Sequence, residues 1–192
     1  MSESAHDKIL LTARHLFFKY GINKVTIEEI CKDAGVSKMT FYRLFKNKNE
    51  LAEKVIEGII EKGVKDYLEI MESNTPFPEK LNGLLELKYR ETRNISEAFI
   101  KDLYSKNEAF FKKLKEAQLM QAERVRRDFS QAQKEGWINP ELSMDFILFM
   151  LNDLNEKMKD ESLRMMYTHP SKLIMDLTQF FFNGISSPKG KE

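Results

Sequence analysis

At 192 residues, 42% hydrophobic and 32% charged, the chain is long enough to bury a real core and has the composition of an ordinary soluble globular protein. Its net charge of +1 hides an asymmetry: the first fifty residues hold nine Lys and Arg against six Asp and Glu, and the remainder is slightly acidic. That pattern excludes a uniformly basic coat and points to nucleic acid at the N-terminal end. The single cysteine, Cys31, excludes an internal disulfide and suits a reducing compartment. The polar start from Ser2 to Lys8 lacks a secretory pattern, and the longest apolar run, Phe146 to Leu151, is too short for a bilayer. The expectation is a cytoplasmic protein with no membrane partner.

With only five Pro and eight Gly, helices are the default reading. Ile9, Leu10, Ala13, Leu16, Phe17 and Tyr20 predict one helix face ending at Gly21. Thr26 and Glu29 have capping-box spacing and predict a helix start. Ile27, Ile30 and Cys31 form its apolar face, and Ala34-Gly35-Val36 ends it, with Gly35 suited to a left-handed turn. Ser37 is a natural N-cap for the next helix, Lys38 to Phe45. There Phe41, Leu44 and Phe45 turn inward while Lys38, Met39, Tyr42 and Arg43 turn out. Two short helices joined by a tight turn are a helix–turn–helix, whose second helix enters a DNA major groove. A helix of nine residues is roughly 13 Å long, near the groove width of about 12 Å. From Val36 to Lys48 there is no Asp or Glu, whereas Lys38, Arg43, Lys46 and Lys48 are basic. A fourth helix is predicted from near Lys48 to about Met71, running from head to body with no flexible linker.

Asn74-Thr75-Pro76-Phe77-Pro78 breaks the pattern. Beyond it the spacing predicts a helix through Leu81, Leu84, Leu85 and Lys88, a short one around Phe99 to Tyr104, and a long one over Glu108 to Lys134 with Phe111, Leu114 and Phe129 inward. Another begins near Pro140, and a last one follows Pro170 and ends by Gly184 and Pro188, leaving a loose tail from Ser186. The helices at Phe146–Leu151 and Phe180-Phe181-Phe182 have more apolar surface than one seam can cover. They are expected to pair with their copies across a two-fold axis, or else to be central core helices.

The first fifty residues resemble the DNA-binding domain of the TetR family of transcriptional regulators. The resemblance rests on Ile9-Leu10-x-x-Ala13-x-x-Leu16-Phe17, Tyr20-Gly21, Thr26-Ile27-x-x-Ile30, Ala34-Gly35-Val36-Ser37, Thr40-Phe41-Tyr42-x-x-Phe45 and Lys48-x-x-Leu51. Met39 departs from the small residue usual there, and Leu44 from an aromatic or His. The resemblance implies an all-α chain: a three-helix helix–turn–helix DNA-binding domain over residues 1–50 and a larger helical ligand-binding and dimerisation domain over 51–192. It implies a homodimer on a double-stranded DNA operator, released by a small-molecule effector of unknown identity, with no cofactor.

Lys38, Met39, Thr40 and Arg43 are the candidates for touching bases. Thr26, Ser37, Tyr42, Lys48 and more weakly Lys46 are the candidates for phosphates. Each has a blander reading: Thr26 and Ser37 as caps, Tyr42 as a core edge, the lysines as solvated charges. The resemblance also implies a pocket among the fifth, sixth, seventh and neighbouring helices, with Tyr89, Phe99, Tyr104, Gln118, Gln121 and Trp137 in or near those faces. A ligand-binding or scaffold bundle that uses the helix–turn–helix for protein contacts is the alternative. Catalysis is not expected: His6, His15 and His169 are scattered, no Cys/His zinc spacing or Gly-rich phosphate loop occurs, and Cys31 reads as a small buried hydrophobe.

Overall fold

The computed structural model describes residues 4–106 and 108–187. Among the described residues ten helices follow in order: α1 Ala5–Tyr20, α2 Ile27–Ala34, α3 Lys38–Leu44, α4 Lys48–Met71, α5 Phe77–Thr92, α6 Glu97–Lys106, α7 Glu108–Lys134, α8 Met144–Lys157, α9 Glu161–Arg164 and α10 Pro170–Ile185. Among the described residues the only extended pairing is an isolated antiparallel bridge between Ile138 and Ser186. The side chains of Phe111, Leu114 and Gln118 lie outside the described residues, as does the tail beyond Ser187.

The helices form two compact units. The first takes residues up to Lys62 together with Asn94–Leu114, and the second takes Gly63–Arg93 with the chain from Lys115 onward. The division falls inside α4 and α7, which are continuous helices.

The first unit packs around Ile9, Ala13 and Phe17 of α1, Ile30 and Cys31 of α2, Phe41 of α3 and Leu51 of α4. Phe99 and Leu103 of α6 close the same core. The head is therefore not three helices alone. α1 has a second apolar side: Phe18 is buried and packs on Phe99 with ring centroids 4.8 Å apart. Tyr20, expected on the inner face, is exposed instead, with the Lys19 ammonium 4.9 Å from its ring centre. Burial pushes the Cys31 thiol above its ordinary pKa, as expected of a small hydrophobe in a core.

Local chemistry fixes the ends of these helices. Thr26 Oγ1 accepts from the Glu29 N–H at 3.2 Å while the Glu29 carboxylate accepts from the Thr26 N–H at 2.7 Å, completing the box. Ser37 Oγ accepts from the Thr40 N–H at 3.0 Å. Gly35 sits at φ 65°, ψ 37°, the left-handed cap that a Cβ penalises.

The second unit packs α5, α7, α8 and α10 around Phe77, Leu81, Phe129, Ile147, Phe181 and Phe182. A half-buried polar network braces it: Tyr67 donates to Asp128 at 3.0 Å, and Arg124 reaches both Asp128 and Glu72. Burial and then the Asp128 carboxylate push the Tyr67 hydroxyl well above the usual tyrosine range, so it stays a donor. Two features escaped the sequence. α8 starts at Met144 rather than near Pro140, because residues 139–142 form a turn whose Asn139 and Leu142 carbonyls accept from Gln133. Ser186 and Ser187 are not loose: Ser187 is buried and its N–H donates to the Trp137 carbonyl at 2.9 Å.

Two glycines carry opposite expectations. Gly35→Ala places a Cβ at positive φ and should lower unfolding free energy by about 1 kcal/mol. Gly58→Ala, inside α4 with open space where the added methyl would stand, should raise it by up to about 1 kcal/mol. Urea denaturation of both variants checks the pair of signs.

Candidate nucleic-acid interface

α3 is seven residues long, too short to persist alone, and tertiary packing holds it. Phe41 is fully buried and Phe45 nearly so, their rings 5.7 Å apart. With that face inward, the helical period sends the others outward. Met39 is 82% exposed and Tyr42 57%; Lys38 and Arg43 are exposed as well, and Thr40 is half-buried. The Tyr42 ring meets Phe41 edge-on at 5.3 Å. The outward face thus holds one apolar tip, one phenol and two cations at the positions where sequence placed base and phosphate contacts.

The remaining candidates surround it with mixed roles. Thr26 and Ser37 are exposed, and both hydroxyls are engaged as caps. Lys46 is exposed, and its backbone N–H donates to Glu50 at 2.6 Å. Lys48 is half-buried. Its ammonium donates to the Asn23 carbonyl at 3.1 Å and the Val25 carbonyl at 2.8 Å, so it braces the α1–α2 turn. An ammonium has three donors, and the third is not used by either carbonyl.

Glu28 was absent from the sequence-based set. α2 carries it to the start of α3, where it forms an ion pair and hydrogen bond with Lys38. The hydrogen bond from Lys38 holds the Glu28 carboxyl below its ordinary range, and Glu28 raises Lys38 in return. Ten residues separate the two in sequence. Only the angle of the turn between α2 and α3 reveals the pair.

The residues named around an effector are divided between the two units. Phe99 is buried in the first unit's core and Tyr104 packs on it. Tyr89 is exposed, Gln121 half-buried, and Trp137 packs on the second unit's core. An open cleft of about 350 Å³ in the second unit is lined by Met71, Phe77, Lys80, Asp128, Gln131 and Glu135 among others. Among the described residues no three His, Cys, Asp or Glu side chains are placed to hold a metal ion, and no helix is long and apolar enough to cross a membrane.

Residues 9–55 match the family described as bacterial regulatory proteins, tetR family. Over that segment the head of this chain is similar to TetR-family regulators. Curated relatives agree with that placement. The HTH-type transcriptional regulator YhgD of Bacillus subtilis is 31% identical over 98 residues, covering 50% of this chain and 51% of that protein. The HTH-type transcriptional repressor KstR2 of Mycolicibacterium smegmatis is 30% identical over 81 residues, 42% of this chain and 40% of that protein. The matches therefore span about half or less of these relatives' lengths. Over nearly the whole chain the fold is that of a solved structure, the fatty acid degradation regulator FadR from Bacillus halodurans, with TM-score 0.68, 18% identity and coverage of 96% and 97%. These likenesses are to regulators, and they do not favour a scaffold that keeps the helix–turn–helix for protein contacts.

Because the Thr26 hydroxyl is already half of a closed box, its removal has a structural cost whatever else it touches. Thr26→Ala should lower stability by about 1 kcal/mol. Thermal unfolding followed by circular dichroism reads this directly.

Proposed function

We propose that this chain is a sequence-specific DNA-binding transcriptional regulator. It acts as a homodimer on a roughly two-fold operator, and a small-molecule effector in the body releases it. The observation that carries the reading is the outward face of α3, where Met39, Tyr42 and Arg43 stand exposed on a helix anchored by Phe41 and Phe45. Arg43 and Lys38 suit guanine edges, and Met39 and the Thr40 methyl suit a thymine methyl. Tyr42, Lys46, Thr26, Ser37 and the third donor of Lys48 suit phosphate.

Dimerisation is supported by α8 and α10. Phe149 is 66% exposed and Phe180 77%, beside a half-exposed Phe146, although neighbours on the same helices are fully buried. Three open phenylalanines on two packed helices form a surface that a second copy covers, and half-site recognition needs a two-fold. Repression is supported by the relative named as a repressor. Effector release requires a ligand with different affinity for two arrangements of the heads. The unbroken run of α4 from Lys48 to Met71 supports a mechanical route between them.

Fragments selected from random DNA by the purified protein should share a roughly palindromic site bound in a salt-sensitive manner. A failure to select any sequence above background overturns the reading. Arg43→Ala should cost about 1–3 kcal/mol per half-site and relax preference at one base position. Lys46→Ala should weaken all sequences alike and lower the salt slope by about one per head, hence about two per dimer. If Arg43→Ala weakened every sequence equally, Arg43 would be a phosphate contact. For the interface, a Phe149→Asp, Phe180→Asp double variant should run as a monomer in light scattering at micromolar concentration where the parent runs as a dimer.

A further inference from the structure

The turn between α1 and α2 is gripped from two sides by residues far away in the chain. On one side stands Asp102 of α6. Its Oδ2 accepts from the backbone N–H of Asn23 at 2.8 Å, and its Oδ1 accepts from Asn23 Nδ2 at 2.5 Å. On the other side Lys48 donates to the carbonyls of Asn23 and Val25. Gly21 opens the turn at φ 88°, and a Cβ there would come within 2.7 Å of Asp102 Oδ2. The carboxylate thus approaches where only glycine leaves room. Nearby, the Ser96 N–H donates to the Phe18 carbonyl at 2.8 Å, so the start of α6 is tied to the end of α1.

Asn23 is exposed and lies three residues before the Thr26 cap. Ile22 and Val25 anchor the turn in the core. Between them the exposed Asn23 is held by the charge-assisted bonds to Asp102 and Lys48, which are the stronger class of hydrogen bond. Because the turn leads straight into the α2 cap, its position sets where α2 begins, and α2 carries α3.

We propose that Asp102 is a positioning residue for DNA binding: by holding Asn23 it makes the placement of α2 and α3 depend on α6. This rests on the reading of the chain as a DNA-binding regulator. Asp102 touches no DNA in this scheme. It sets the pose of the residues that do, and any displacement of α6 passes through it to the recognition helix.

The test compares Asp102→Ala with the exchange pair Asn23→Asp plus Asp102→Asn, in the full-length protein. In the pair, the amide oxygen introduced at position 102 still serves the backbone N–H at position 23. The amide nitrogen beside it donates to the new carboxylate, so the side-chain bond reforms with roles reversed. Operator affinity is measured per active molecule, with the active fraction titrated. Asp102→Ala should raise Kd about ten-fold, the loss of one or two charge-assisted bonds, and the exchange pair should recover most of it. Amide hydrogen exchange should quicken at residues 22–34 in Asp102→Ala without a matching rise across α8 and α10. A fall in thermal midpoint with Kd per active molecule unchanged overturns the inference, because Asp102 would then only stabilise. If the parent protein binds no DNA sequence selectively, the functional reading fails on its own. Exchange then still judges the clasp: unchanged protection at residues 22–34 in Asp102→Ala overturns it.

Discussion

The burial of Phe41 is the constraint from which the rest of the head follows. A fully buried phenylalanine contributes about 1.5–3 kcal/mol from apolar area alone, more than a seven-residue helix can supply by propensity. Once Phe41 and Phe45 are committed to the core, α3 has no rotational freedom left. The 3.6-residue period then dictates that Met39, Tyr42 and Arg43 face water. The interface is in this sense a by-product of the core: its exposed residues are selected by which neighbours are buried.

Local terms refine what the core decides. The boxes and caps at Thr26, Ser37 and Asn47 fix where each helix starts, and Gly35 fixes the angle at which α3 leaves α2. None of these interactions is large. Their effect is on direction: each removes an alternative path for the chain between two buried side chains, so that a small core specifies one arrangement.

The parts legible in the sequence are those governed by neighbours along the chain. α1 through α4 show in the caps, in Gly35 and in the apolar spacing, because capping boxes and helical stripes involve residues three or four apart. The outward set on α3 was legible for the same reason. What the sequence conceals is pairing across distance. The Glu28–Lys38 ion pair, the engagement of Lys48 with Asn23 and Val25, and the Asp102 bonds to Asn23 connect residues 10 to 79 positions apart. The role of α6 in the head was hidden because Phe99 and Leu103 read as an ordinary apolar stripe, with no sign of which core they enter. Phe18 gives the matching surface on α1, yet periodicity favours the larger face and leaves a second one unread. α9 is four residues long with one buried side chain, too short for any pattern to emerge.

The charge balance of the head limits how it can discriminate. α3 and the turn after it are basic, but α2 sets Glu28, Glu29 and Asp33 close behind. Glu28 is engaged with Lys38 in the free protein, so part of the positive charge at the start of α3 is already neutralised. Non-specific affinity for DNA grows with the number of phosphates neutralised and collapses with salt. On the proposed reading, a head with one cation already paired gains less from that source. The ion pair is solvent-exposed and screened, so exchanging Glu28 for a DNA acceptor is a nearly balanced trade for Lys38. Lys38 therefore adds most where the DNA offers it better geometry than Glu28 does. On the proposed reading, charge of this kind favours selectivity over grip, and leaves Met39, Thr40 and Arg43 to carry the difference between one sequence and another.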